Sequence, residues 1–244
     1  MRPQAWGGPV SVAAPPPVVA VTGLAVEARI AAGPGVRALA GGLDLPQLSA
    51  ALEREVARGV SAIISFGIAG GLVPDLTPGV WVVGRGIVTP TIYRPCDTAW
   101  TRMLRERLPG ARFADLAGSD APVTEPAAKC ALQRVTSAVA VDTESHIAAA
   151  VAAAHGLPFA AFRVIADPVG RALPPAASVA LRAGGMIDVA AVVRSLARTP
   201  GQLPLLVRTA IDARAAFSAL LRGRRLLGGR LGYVALRSLE LDVA

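Results

Sequence analysis

The feature that most constrains the fold of this chain is the alternation of short apolar segments with helical patterns. Residues 18–21, 62–66 and 159–165 are dominated by Val, Ile, Ala and Phe, as expected of strands buried on both faces of a sheet. Between them lie segments whose apolar residues recur every three to four positions, which is typical of amphipathic helices. Strands that alternate with helices predict an α/β fold, a three-layer αβα domain around a central mixed sheet.

The same patterns predict the remaining elements of the domain. Further strands are expected at 80–88 and 135–141. Helices are expected at 27–32, 45–58, 99–108, from 127 onward, 143–155, 176–198 and 203–221. Hydrophobic residues make up 53% of the chain and aromatic residues only 4%, so the core must be built from aliphatic side chains.

The domain organisation follows from composition. Residues 1–17 end in three prolines and are expected to form a disordered leader, residues 18–221 a single domain, and residues 222–244 a basic, Gly-rich tail. The two cysteines lack the number for a disulfide framework and the spacing of a zinc site. We therefore expect no metal and no resident cofactor.

The charge balance of +8 favours anionic partners without choosing among them. A nucleic-acid partner is not expected, because no basic element interleaved with aromatic residues is present. No apolar run has the length of a membrane span, so the sequence predicts a cytoplasmic protein. The predicted helix 203–221 precedes Arg222, Arg224 and Arg225, which suggests peripheral contact with the inner face of a membrane, although most amphipathic helices pack against their own domain.

Polar residues follow several of the predicted strands. Glu27 follows the first strand, the glycine loop 67–71 the second, Asp142 and Glu144 the strand at 135–141, and Asp167 the strand at 159–165. Ligands of open α/β sheets bind at the carboxyl ends of strands, so these groups predict one pocket. Capping of the next helix is an alternative role for Asp142, and an ordinary turn is one for Asp167.

Other enzyme classes are disfavoured by missing motifs. The glycine loop GIAGG lacks the G-x-G-x-x-G order and the acidic residue about 20 positions later that mark dinucleotide-binding sites. It also lacks the lysine of a nucleotide-binding P-loop, and no G-x-S-x-G elbow of a serine esterase is present.

The order of the segments resembles a known family. The stretch SFGIAGGLVPDLTPGVWVVG followed by AVAVDTESHIAAAVAAAHGLPFAAFRVIAD resembles the purine nucleoside phosphorylases and the methylthioadenosine/adenosylhomocysteine nucleosidases, over residues 18–167. The start TGLAVEARIA is similar to that of hopanoid-associated phosphorylases. The resemblance implies cleavage of an N-glycosidic bond, with adenosylhopane as substrate, adenine as the leaving base and a homo-oligomeric enzyme.

The resemblance also implies roles for individual residues. Asp167 would be the general acid that protonates the leaving purine, and Glu27 would orient or activate the attacking water. Glu144 would bind the ribose hydroxyls. The remaining assignments are Asp142 and Thr143 beside the ribose, Ala69, Gly70 and Gly71 as the base and sugar loop, Ser119, Asp120 and Val123 along the purine wall, and Arg29, Gly41 and Gly42 for inorganic phosphate.

Two departures from the family pattern leave alternatives open. Thr143 stands where methionine is usual, and Asp142 stands where the nucleosidases have glutamate. The nucleophile can be water or phosphate. A nucleosidase for methylthioadenosine or adenosylhomocysteine is a second hypothesis, and a non-catalytic nucleoside-binding protein at the membrane, which Thr143 favours, is a third.

Overall fold

The computed structural model describes residues 14–42, 44–178, 185–186 and 188–234. The strands are β1 (Val18–Thr22), β2 (Val36–Ala40), β3 (Ala62–Gly71), β4 (Trp81–Val88), β5 (Tyr93–Pro95), β6 (Arg112–Gly118), β7 (Ala140–Asp142) and β8 (Phe159–Asp167). The helices are α1 (Ala25–Ala31), α2 (Leu45–Ala57), α3 (Thr98–Arg107), α4 (Pro126–Thr136), α5 (Ser145–Ala154), α6 (Pro175–Ser178), α7 (Val189–Arg198) and α8 (Leu203–Leu227).

The eight strands form one mixed sheet, which confirms the predicted fold class. β3 pairs in parallel with β1 and β8 and antiparallel with β7, while β4 pairs with β6 and antiparallel with β8. Because β6 also pairs with β7, the strands β3, β8, β4, β6 and β7 close into a ring. β1 and β2 extend from β3, and β5 extends from β4.

The central strands are buried on both faces, as their continuous apolar character predicts. Val19 and Val21 of β1 face one core with α2 and α5, whereas Val18 and Ala20 face a second core with α3 and α8. Alternate residues of a strand point to opposite faces, so one apolar run supplies both cores. The buried aromatic residues of the second core are Trp100, Phe66 and Phe162, and three partly buried ones pack against this core, namely Trp81, Phe217 and Tyr233.

Several predicted boundaries differ from the structure. The expected strand 135–141 is wrong over most of its length, because α4 continues to Thr136 and ends at Ser137 in a left-handed conformation. β7 covers only Ala140–Asp142. The predicted glycine loop 67–71 lies inside β3, since backbone pairing with β8 and β7 continues to its end. The prediction also missed the strands β2, β5 and β6.

The helices of the C-terminal region differ in extent from the prediction. The expected helix 176–198 contains two separate helices, α6 and α7, with residues 179–184 and 187 outside the described residues. α8 runs to Leu227 and so includes the first residues of the predicted tail 222–244, of which 235–244 lie outside the described part. Most of the predicted leader, residues 1–13, also lies outside it.

The second half of α8 is anchored to the sheet by specific hydrogen bonds. The Trp81 indole donates to the Ala219 carbonyl at 2.9 Å, and Arg224 Nε donates to the Ala31 carbonyl at 2.9 Å. Leu220 and Leu227 are fully buried. Among the helices that the structure describes, none combines the length and the apolar character needed to cross a bilayer.

Candidate active site

A cavity of about 780 Å³ opens where the ends of β1, β7 and β8 meet the later part of β3. β7 runs antiparallel to β3, with Val141 opposite Gly70, so the site does not lie at one edge of a parallel sheet. Instead, β3 is long enough to pass the ends of its neighbours. Five polar residues of the lining lie at or just after the ends of β1, β7 and β8, namely Glu27, Asp142, Thr143, Glu144 and Asp167.

Three carboxylates surround one fully buried guanidinium, and we call Glu27, Asp142, Glu144 and Arg163 the buried charge cluster. Arg163 Nε lies 3.0 Å from Asp142 Oδ2, and Nη2 lies 3.2 Å from Glu144 Oε2. Glu27 accepts hydrogen bonds from the Ile68 amide at 2.6 Å and the Leu24 amide at 2.7 Å. Charged hydrogen bonds therefore join Arg163 of β8 to Asp142 and Glu144, and Glu27 of α1 to Ile68 of β3.

The cluster depends on a glycine in β3. A Cβ atom at Gly67 would lie 2.6 Å from Glu27 Oε1 and 2.8 Å from Arg163 Nη1. Both atoms belong to side chains that are buried and held by other partners, so they have little room to move. Position 67 therefore has to be glycine for Glu27 and Arg163 to approach the strand this closely.

Burial sets the proton affinity of the carboxylates. Desolvation raises the pKa of Glu27 above its usual range, although the Arg163 charge opposes the rise. Burial also raises the pKa of Glu144 to about 7, with Arg163 lowering it and the neighbouring Asp142 raising it. One cation cannot compensate three buried carboxylates, so the cluster favours binding a proton near neutral pH.

Asp142 and Thr143 both orient Glu144. Asp142 Oδ1 accepts from the Glu144 amide at 3.0 Å and the Ser145 amide at 2.7 Å, at the start of α5. Asp142 therefore combines the capping role with an ion pair to Arg163. The Thr143 hydroxyl donates a short hydrogen bond to Glu144 Oε1. The threonine that departs from the family pattern thus holds the carboxylate that faces the cavity.

Asp167 stands apart from the cluster and has its own cation. Lys129 of α4, which is fully buried, donates to Asp167 Oδ2 at 2.5 Å, to the Pro168 carbonyl at 3.1 Å and to the Arg171 carbonyl at 3.5 Å. Desolvation raises the pKa of Asp167, and the hydrogen bond and charge of Lys129 lower it. The three acceptors match the three N–H donors of an ammonium group, so Lys129 fixes one oxygen of the carboxylate.

The rest of the cavity is apolar. We call this part the apolar arm. It is lined from the loop before α6 and from helices α6, α7 and α8, by Leu173, Ala176, Ala177, Val192, Leu206, Ala210, Ala213 and Phe217. The arm joins the polar end near Asp167 and Thr209. A ligand that filled the whole cavity would therefore need one polar end and one large apolar end.

The other predicted contacts are divided between the cavity and its surroundings. Ala69, Gly70 and Val123 line the cavity, whereas Gly71 lies one residue outside it. Ser119 donates to the Ala121 carbonyl instead, and the exposed Asp120 lies 2.9 Å from His146 Nε2. The purine wall of the prediction therefore reduces to the segment 121–124, which does line the cavity.

The residues predicted to bind phosphate are not brought to the cavity. Arg29 is exposed on the outer side of α1. The Gly41 amide donates to the Thr22 carbonyl at 2.8 Å, and the Gly42 amide donates to the Gly23 carbonyl at 3.0 Å, so neither is free for an anion. Among the described residues that line the cavity, the only cation is Arg214 of α8.

Two residues of the site were missed from sequence. Arg163 interrupts the apolar strand FAAFRVIAD, and a charged residue at a position buried on both faces is itself a signal of a paired site. Lys129 is the only lysine among the 25 basic side chains of the chain. No group of metal-ligating side chains is found in the described part.

Comparison with known proteins identifies a family. Residues 15–199 match the family described as the phosphorylase superfamily. Comparison with curated protein sequences finds no match.

Solved structures share the fold at low sequence identity. A methylthioadenosine/adenosylhomocysteine nucleosidase of Helicobacter pylori, solved with butyl-thio-DADMe-Immucillin-A, is 12% identical and superposes with a TM-score of 0.64 over 90% of this chain and 99% of that one. The adenosylhomocysteine nucleosidase of Streptococcus pyogenes is 15% identical and superposes with a TM-score of 0.59, over 66% of this chain and 88% of that one. The futalosine hydrolase of Helicobacter pylori is 16% identical and superposes with a TM-score of 0.54, over 62% of this chain and 84% of that one.

Proposed function

The chain belongs to the phosphorylase superfamily, and from this premise we propose that it hydrolyses the N-glycosidic bond of a purine nucleoside bearing a large apolar 5′ group. One observation carries the proposal: the acidic strand ends and the apolar arm belong to one continuous cavity. A purine and ribose match the polar end in polarity, and an apolar substituent matches the arm.

The proposed chemistry assigns one task to each carboxylate. Glu144 accepts hydrogen bonds from the ribose hydroxyls and stabilises positive charge that develops on the sugar as the bond breaks. Asp167 gives a proton to the five-membered ring of the purine, so adenine leaves as a neutral base. Glu27 orients the water whose oxygen bonds to the anomeric carbon and takes the proton that this water loses.

Water is the nucleophile that the electrostatics of the cavity favour. A phosphate anion beside Glu27 and Glu144 would be repelled, and Arg163 is already paired with two carboxylates. The Gly41 and Gly42 amides are occupied by backbone carbonyls. These contacts support hydrolysis over phosphorolysis.

The substrate that we propose is adenosylhopane, because residues 22–31 resemble the start of hopanoid-associated phosphorylases and the arm is lined by apolar side chains. Such a nucleoside resides in membranes, so the proposal includes peripheral contact of the enzyme with the inner membrane face, and we also propose a homo-oligomer. Neighbours named as methylthioadenosine/adenosylhomocysteine nucleosidases support a second candidate, in which the 5′ group is a small thioether.

The test measures adenine release from adenosylhopane in detergent and from methylthioadenosine, each with and without inorganic phosphate. We expect release from adenosylhopane at a rate that phosphate does not change. Phosphate-dependent release accompanied by a ribose 1-phosphate product would refute hydrolysis.

Preference for methylthioadenosine would select the second candidate instead. Folded protein that binds adenine but releases it from neither nucleoside would leave the hypothesis of a non-catalytic nucleoside-binding protein. A control variant, Asp75→Asn, alters an exposed carboxylate that pairs with Arg112 at 3.5 Å and should behave as the unmodified enzyme.

A further inference from the structure

Helices α7 and α8 carry large apolar side chains on faces that do not line the cavity. Together with Met186 just before α7, these residues are Val189 and Val193 on α7 and Leu203, Val207 and Ile211 on α8, each more than half exposed. Scattered exposed apolar residues are ordinary, but six within 26 consecutive positions are an unusual concentration.

The charges on this surface have one sign. Arg194, Arg198 and Arg208 are exposed, and none of them forms an ion pair within the described part of the chain. Between residues 189 and 211 the sequence contains no Asp or Glu. Asp188 accepts a hydrogen bond from the Ala191 amide at the start of α7.

The same two helices form the walls of the apolar arm. Val192 lines the arm while its neighbour Val193 is exposed, and Leu206 lines it while Val207 is exposed. Adjacent residues of a helix point about 100° apart, so each helix presents one apolar side to the arm and another to the outside. The exposed surface is therefore continuous with the walls of the cavity.

We propose that this α7–α8 face, comprising the six apolar residues and the three arginines named above, docks on an anionic lipid bilayer. Apolar side chains enter the boundary between headgroups and acyl chains, and the arginines contact the anionic headgroups. The inference deepens the proposed function, because docking here places the apolar arm against the membrane. It keeps the predicted membrane contact of helix 203–221 but centres it on α7 and the first part of α8, away from Arg224, which donates to the Ala31 carbonyl.

The test measures co-sedimentation with vesicles of phosphatidylcholine alone and of phosphatidylcholine with phosphatidylglycerol, in the absence of nucleoside. We expect binding to the anionic vesicles only, weakened by raised salt because the arginine contacts are screened. The variant Val193→Glu/Arg194→Glu/Val207→Glu/Arg208→Glu should bind more than about tenfold more weakly, given roughly 1 kcal/mol per lost arginine and more for each reversed charge.

A control with half the charge change comes from α4, where Arg134 and the 67% exposed Val135 are adjacent as on α7 and α8. The control Arg134→Glu/Val135→Glu should retain vesicle binding. Equal loss in both variants would show only a general effect of charge and would overturn the proposal. So would a four-residue variant that keeps vesicle binding but changes from oligomer to monomer, because the face would then contact a second copy.

The two proposals fail separately. Vesicle binding needs no substrate, so it can persist if adenosylhopane is not cleaved. Conversely, adenine release from methylthioadenosine should be unchanged in the four-residue variant, because none of its four residues lines the cavity. Loss of that activity together with a lower melting temperature would identify misfolding, and Val193→Ser/Val207→Ser then repeats the vesicle measurement.

Discussion

The two ends of the cavity are built in different ways. The buried charge cluster lies between strands, and each of its carboxylates accepts hydrogen bonds from backbone amides or side chains of other elements. The apolar arm lies between three helices that contact it mostly through aliphatic and aromatic side chains. A small displacement breaks directional bonds in the cluster, whereas the arm can repack at low cost.

This difference suggests that the two ends of the cavity have separate functions. The strand ends fix the chemistry, and the helices determine which 5′ group is accepted. Changes in the cluster should therefore impair every substrate alike, while changes in the arm should separate substrates from one another.

The largest expected effect comes from the acid beside the cluster. Asp167→Asn removes the proton donor but keeps the size of the side chain, so we expect the rate of adenine release to fall by about 10² to 10⁴-fold. The fall should be the same for adenosylhopane and methylthioadenosine. An effect on only one of the two substrates would contradict the proposal that the strand ends fix the chemistry while the helices of the arm select the 5′ group.

The lysine behind that acid should shift the pH dependence. In Lys129→Met the acid loses the cation that lowers its pKa, although Arg171 continues to lower it and Asp212 to raise it. Asp167 would then stay protonated to higher pH, so the alkaline limb of kcat/KM should move upward by about 1–3 pH units. We also expect kcat to fall about tenfold as Asp167 becomes less well held.

A purely structural role for Lys129 would lower the melting temperature and leave the pH profile in place. Lys129→Arg provides the comparison that keeps the charge. Its planar group cannot offer the same three donors from one atom, so we expect the pH profile to be restored more fully than kcat.

A change in the arm should separate the substrates. Ala213→Phe adds a ring beside Phe217 where the arm lies between the helices. We expect KM for adenosylhopane to rise about tenfold or more and KM for methylthioadenosine to stay within twofold. The control is Ala190→Phe, at an exposed position of α7. Ala150→Phe in α5 would be unsuitable as a control, because α5 packs on the core. Equal effects on both substrates would show that the arm is not a separate binding region.

The smallest effect concerns stability. The pKa of Glu144 rises from 4.5 to about 7 in the folded protein, so its contribution to stability is complete below pH 4.5 and is lost as pH rises toward 7. The melting temperature of Glu144→Gln relative to the unmodified protein should therefore increase by several degrees across this interval. Glu106→Gln on the exposed side of α3, near Arg102, should show no such trend. A melting-temperature difference that decreases as pH rises would contradict the raised pKa of Glu144 as the cause.

The sequence predicts some parts of this molecule better than others, for physical reasons. Apolar runs identify β1, β3 and β8 because burial on both faces leaves no polar alternation. Asp142, Glu144 and Asp167 could be selected because polar residues at strand ends converge. The phosphate site predicted at Gly41 and Gly42 could not be checked from sequence, since the partners of their amides depend on strand register.

The apolar arm could not be predicted from sequence at all. Leu173 and Ala213 both line the cavity although they are 40 residues apart in sequence, and helical periodicity gives no information on which faces oppose each other. Lys129 was missed for a related reason. The local pattern of α4 is that of an ordinary surface helix, and only the fold shows that its lysine reaches the loop after β8.

The position of β8 in the ring has a consequence for how the molecule is made. Among the residues that the structure describes, β8 is the last strand of the sheet in chain order, yet it lies between β3 and β4 and carries both Arg163 and Asp167. During synthesis, β3 and β4 leave the ribosome before β8, so the edges that pair with residues 159–167 are unpaired until β8 is made. A growing chain therefore has neither a closed sheet nor a competent site until this strand inserts, and it depends on protection from aggregation until then.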